Sequence, residues 1–151
     1  MENTYAFILG KNKALSLAEL FSVLKRECLH HDIFSITVDA MVIKTPNALN
    51  DPQAILNRLG GIVKIAEIHQ VIRGAEHDRF VDAISDYVKM HGRDSKYIFG
   101  VSFYGFKRMI PKRVAAIGIR AKKSLRESGF HTRLVVSKKE CFLQTSEVEH
   151  N

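Results

Sequence analysis

The sequence predicts an α+β chain built in two parts. Two observations carry this expectation. Short β-branched and aromatic runs alternate with amphipathic helical stretches along the whole chain. Their order differs between the halves, β-α-β-β-α-β in the first and helix, strand, helix, strands in the second. At 151 residues there is room for one ordinary domain or two small ones. Apolar residues are 46% and charged residues 26% of the chain, a globular mixture that excludes wholesale disorder.

In the first half, residues 4–9 (TYAFIL) read as a strand. Ser16-Leu17-Ala18-Glu19 has the form of a capping box, and Leu17, Leu20, Phe21, Leu24 and Cys28 follow at helical spacing, predicting a helix over 16–30. Residues 33–38 and 40–45 form two strands of a tight hairpin turning at Asp39. Asp51-Pro52 supplies an N-cap and a proline at the first helical position. Ile55, Leu56 and Leu59 line that short helix, and Gly60-Gly61 ends it. Residues 62–72 alternate as a fourth strand. This order is that of a ferredoxin-like split βαβ unit over 1–74, with both helices on one sheet face. The RNA-binding modules that share it stack bases on aromatics of the sheet. The third strand, AMVIKT, has none, and KYIFGVSF at 96–103 has Tyr97 and Phe99 where that signature needs small residues, so this class is excluded.

A linker near 73–76 leads to the second unit, 75–151. Phe80, Val81, Ile84, Tyr87 and Val88 mark a helix over 78–91, closed by Gly92. Residues 97–104 (YIFGVSFY) are a strand whose aromatic row at period two reads as core. A helix over 111–128 opens at Pro111 and closes at Gly129. Val114, Ile117, Gly118, Ala121 and Leu125 share one side of it; Lys112, Arg113, Arg120, Lys123 and Arg126 share the other, with Glu127 as their single acidic neighbour. Residues 131–136 and 140–145 are two further strands, a hairpin across Ser137-Lys138-Lys139.

The charge is unevenly placed. The chain carries +7, but residues 96–139 hold twelve Lys/Arg against Glu127 alone. Like charges at neighbouring helical positions oppose helix formation by a few tenths of a kcal/mol per pair, and a merely solvated face usually mixes signs. A single-signed face therefore points to a polyanion, with nucleic acid the leading class.

Catalytic chemistry finds little footing. Pro46, Pro52 and Pro111 are isolated, so there is no Pro-Pro loop of the kind used in amine methylation. No glycine-rich nucleotide turn follows a strand, and Leu59-Gly60-Gly61 ends a helix instead. Cys28, His30 and His31 lack a second ligand pair at zinc spacing. Asp78, Asp82 and Asp86 share a helix face that reads as solvated, and Cys141 beside Lys138 and Lys139 has no assignable base. Two distant cysteines, no apolar run near a membrane span and no basic leader fit a cytoplasmic chain with no membrane partner.

Taken together, KYIFGVSFYGF, the basic helix ending in SLRESGF, and TRLVVSKKECFLQTSEVEHN resemble a THUMP domain. More closely, the chain resembles the front part of the archaeal and eukaryotic-type tRNA guanosine-N2-methyltransferases, whose opening strand and leucine-rich helix are similar to YAFILGKNKALSLAELFSVL. Gln144-Thr145-Ser146 departs from the family pattern, and the chain stops at Asn151 where family members continue. The resemblance implies a ferredoxin-like domain and a THUMP domain that bind the acceptor end of tRNA, including its 3′-CCA. The catalytic domain, which binds S-adenosylmethionine, would lie outside this chain, in cis or in trans; no catalytic residue, cofactor or metal is expected here. The implied RNA contacts are Lys107, Arg108, Lys112, Arg113, Arg120 and Lys123, with Arg133, Lys138 and Lys139 flanking them. Arg126 joins them from the basic face, and Phe106, outside the strand alternation, is the candidate for stacking on a base. The alternatives are a stand-alone THUMP-type adaptor for a separate modification enzyme, and an α/β protein-interaction domain with an acidic partner.

Overall fold

The computed structural model describes residues 3–27, 29–74, 76–91, 97–105 and 109–137. The architecture is α+β, and the chain divides into two compact units, Met1–Val71 and Ile72–Asn151.

The first unit runs β1 (Asn3–Leu9), α1 (Lys13–Arg26), β2 (Asp32–Ile36), β3 (Ala40–Thr45), α2 (Pro52–Leu56), β4 (Ile62–Glu67). The strands form one antiparallel sheet in the order β2-β3-β1-β4. Strand alternation then separates two faces. Tyr5, Phe7 and Leu9 of β1 and Met41 and Ile43 of β3 are buried with Leu20, Val23 and Leu24 of α1 and Ile55 of α2, so both helices cover the same face. Tyr5 also uses its phenol: the Leu49 N–H donates to it at 3.1 Å.

Helix α1 begins a turn earlier than the capping-box reading expects. Asn12 is its N-cap, in extended conformation, and its side chain accepts from the Leu15 N–H at 3.2 Å. Ser16 lies inside the helix, 1% exposed, and its hydroxyl donates to the Asn12 carbonyl at 2.8 Å. Two residues with good capping chemistry fall within one turn, and the upstream one takes the role. The helix ends at Arg26 rather than residue 30. Asp51 and Pro52 act as expected: the Asp51 carboxylate accepts from the Ala54 N–H at 2.9 Å and Pro52 opens α2.

The second unit runs α3 (His77–His91), β5 (Tyr97–Gly100), α4 (Pro111–Glu127), β6 (Thr132–Val135). β5 and β6 pair in parallel, Tyr97 opposite Thr132 through Gly100 opposite Val135, with α4 as the crossover. Val81, Ile117 and Ala121 form the buried centre, flanked by Phe80, Ile84, Phe99 and Phe103. Phe80 and Phe103 meet edge to face with centroids 5.2 Å apart, a favoured aromatic geometry. Of the aromatic row expected to be core, Phe99 and Phe103 are partly buried and pack against this centre. Ser85 donates to Ser124 at 3.2 Å and ties α3 to α4.

Several strands are shorter than periodicity predicts. β2 stops at Ile36 rather than 38, β4 at Glu67 rather than 72, and β5 at Gly100 rather than 104. β5 has a four-residue partner, and its ladder ends where that partner ends. The expected strand over 140–145 and the Lys138-Lys139 turn lie outside the described residues.

Helix α4 ends on local chemistry alone. Gly129 adopts φ +88°, the left-handed conformation that glycine takes without penalty. Its N–H donates to the Arg126 carbonyl and the Phe130 N–H to the Leu125 carbonyl, both at 3.0 Å. This pair of bonds is the Schellman stop, which satisfies carbonyls the helix leaves open.

Candidate nucleic-acid interface

Helix α4 turns Val114, Ile117, Gly118, Ala121 and Leu125 into the second unit's interior. Gly118 has a packing reason: a Cβ there would lie 2.9 Å from Leu134 Cδ1, so the missing side chain lets β6 approach the helix. The opposite side carries two adjacent stripes. Lys112, Ala116, Ile119, Lys123 and Arg126 follow one another at helical spacing, and all five are exposed. From Lys112 to Arg126 this stripe runs about 21 Å along the axis. Arg113, Arg120 and Glu127 form the second stripe, also exposed.

The two stripes differ electrostatically. Arg120 pairs with Asp78 of α3, so its charge is already answered from the neighbouring helix. Lys123 lies 3.9 Å from Glu127 one turn on, a loose exposed pair of little energetic weight. The helix has no acidic residue in its first turn, and Ile110 at the N-cap supplies no capping side chain. The positive end of the helix dipole therefore adds to Lys112 and Arg113.

Arg133 is placed differently. Leu134 packs toward α4 at Gly118, and Arg133, its neighbour in the strand, projects to the opposite side of the β5–β6 pair. The structure thus brings Lys112, Arg113, Arg120, Lys123 and Arg126 together on α4 and sets Arg133 apart from them. Phe106, Lys107, Arg108, Lys138 and Lys139 lie outside the described residues. Ile119, 60% exposed at the centre of the cationic stripe, was not among the expected contacts. Its signal was present in the spacing, since it sits seven residues from both Lys112 and Arg126.

The acidic candidates are solvated. Asp78, Asp82 and Asp86 are all exposed on α3. Among the described residues no group of three or more His, Cys, Asp or Glu side chains converges as a metal site. No helix among them is long and apolar enough to cross a membrane.

The first unit holds a further carboxylate with a clear task. Glu19 accepts from the Gly60 N–H at 2.8 Å and the Gly61 N–H at 2.7 Å, one on each oxygen. It joins α1 to the loop before β4. Those two bonds hold its carboxyl below the ordinary value near 4.5. A carboxylate so engaged is an anchor, not a base. A depressed folded-state pKa contributes stability above the unfolded pKa and loses it as pH falls through the folded one. Glu19→Gln is therefore expected to flatten the acid side of the stability profile. Measured by denaturant midpoints between about pH 6 and about pH 3, the wild-type chain should lose more stability than the variant.

Against known proteins, no family model matches the chain, and no curated protein matches it. Among solved structures, it is similar to PH1313 from Pyrococcus horikoshii Ot3, at 14% identity and a TM-score of 0.52. The match covers 87% of this chain and 46% of that one, so this chain spans about half the length of that protein. The likeness supports the α+β fold.

Proposed function

We propose that this chain is a tRNA-binding module: a ferredoxin-like domain followed by a THUMP domain, serving a guanosine-N2 tRNA methyltransferase. The observation that carries the reading is the exposed cationic stripe of α4. Lys112, Lys123 and Arg126 line it, Arg113 stands beside it, and the uncapped helix start adds to its positive end. Phosphate recognition uses cations spaced along a rigid element, which the loose, exposed Lys123–Glu127 pair barely screens, and supplies affinity that falls steeply with salt. The order β2-β3-β1-β4 supports the ferredoxin-like assignment of the first unit. Phe106, Lys107, Arg108, Lys138 and Lys139 extend the proposed contact set, and Phe106 is the proposed stacking residue. Methyl transfer, with S-adenosylmethionine as donor, belongs in this reading to a catalytic domain in cis or in trans.

The test is fluorescence anisotropy of the chain with labelled tRNA, with and without the CCA end, at two salt concentrations. The expected result is binding that weakens with salt and weakens again when CCA is removed. Binding that depends on salt alone would leave a general polyanion binder. Absence of binding at low salt would overturn the reading for this chain.

A further inference from the structure

Strand β2 is the outer strand of the first unit's sheet, and among the described residues β3 is its single partner. Its composition is unusual for an edge. Ile33, Phe34 and Ile36 are 48%, 59% and 48% exposed, and Val38 in the turn that follows is 71% exposed. Ile33 and Ile36 stand opposite Ile43 and Met41 of β3, and so point to the helix-bearing side, beyond the reach of the helices. Phe34 faces the other way, where Lys44 Nζ lies 5.2 Å from its ring centroid. Each side of this edge thus carries exposed apolar side chains, with Asp32 and Lys44 beside Phe34 on the second, and its backbone offers an open row of N–H and C=O groups.

Edge strands in monomers are commonly blunted by lysine, proline or inward-pointing charge. From Asp32 to Val38 this strand and its turn contain no lysine, arginine or proline. A bulge between Ile33 and Ser35 sharpens the twist, which shortens any added ladder without abolishing it.

We propose that β2 pairs antiparallel with β2 of a second copy about a two-fold axis, joining two four-stranded sheets into one. Three points select a second copy as the occupant. The chain carries +7, but β2 itself adds no cation to the seam, and the neighbouring Lys44 of β3 stands over Phe34 and opposite the acidic Asp32. An antiparallel pairing of DIFSI with itself is self-complementary, since each strand brings apolar side chains to both sheet faces, the isologous arrangement of most dimers. The area is also sufficient: four half-exposed apolar side chains per copy plus the paired backbone amount to about 1,000 Å², near the lower limit for a specific contact. That size fits a weak dimer, with a Kd of about 10–100 μM. The proposal does not depend on the RNA-binding reading.

The experiment is sedimentation equilibrium of the 151-residue chain, without nucleic acid, from about 5 to about 500 μM. The expected result is a concentration-dependent monomer–dimer equilibrium. Phe34→Lys should weaken it by at least about ten-fold, because Phe34 is the middle residue of DIFSI and like charges then face each other across the two-fold. Val38→Lys, in the exposed turn and so harmless to folding, should weaken it in the same direction. Far-UV circular dichroism checks that both variants keep their fold. Amide exchange along β2 should slow as concentration rises. A monomer at every concentration would overturn the proposal, as would a dimer indifferent to both folded variants.

Discussion

Replacing Lys123 and Arg126 together by glutamate is expected to weaken tRNA binding by about 100-fold at about 0.1 M salt. Each phosphate contact contributes about 0.7 to 0.9 to the slope of log affinity against log salt, worth five- to eight-fold at about that concentration. Two lost contacts account for roughly 25- to 60-fold, and repulsion by the new carboxylates supplies the remainder. The salt slope should fall by about 1.4 to 1.8. Both residues are exposed on α4, so the fold should survive with little change. Two controls sharpen the result. Arg120 is already paired with Asp78, so Arg120→Glu should cost less than about five-fold. Arg133 projects from the far side of the β5–β6 pair, so Arg133→Glu should leave affinity within about two-fold. Equal losses at all four positions would mean that net charge, not the α4 stripe, governs binding. Anisotropy titrations over a salt series measure every one of these quantities.

Features set by neighbours in sequence were legible. Asp51 and Pro52 begin α2, and Pro111 and Gly129 bound α4, because caps and stops are chemistry of a single turn. The basic side of α4 was legible for the same reason, since helical spacing alone sorts Lys112, Lys123 and Arg126 from Val114, Ile117 and Ala121. Features set by distant partners were not. Glu19 looked like the closing half of a capping box, yet its carboxylate is taken by Gly60 and Gly61 some forty residues on. Arg120 looked equivalent to Lys123 until α3 brought Asp78 to it. The ends of β4 and β5 ran long in the sequence because alternation persists past the last rung, and only the partner strand says where the rungs stop.

The Glu19 anchor belongs to a junction whose tightness yields the largest expected loss of stability. Gly61→Ala should destabilise the first unit by about 2–4 kcal/mol. A Cβ on Gly61 would lie 2.8 Å from Ser16 Oγ and 2.9 Å from Ser16 Cα, closer than such carbons approach other atoms. The hydroxyl can rotate away, but the Cα is helix backbone, so α1 must shift off the start of β4. That shift also strains the two bonds to Glu19 and the bond from the Gly10 N–H to the Gly61 carbonyl, 2.8 Å long. Gly60→Ala tests the steric cause. Its Cβ would meet Glu19 Oε1 at 3.6 Å, an ordinary contact, so the effect should stay within about 0.5 kcal/mol. Ser16→Gly in the Gly61→Ala background removes one clash and leaves the other, so it should recover well under half of the loss. Amide exchange at Phe7 and Met41, both fully buried in this unit, reads the change directly. Amides of Ile117 and Ala121 in α4 report the second unit in the same experiment. If Gly60→Ala and Gly61→Ala lost equal stability, backbone flexibility rather than the contact with Ser16 would be the cause.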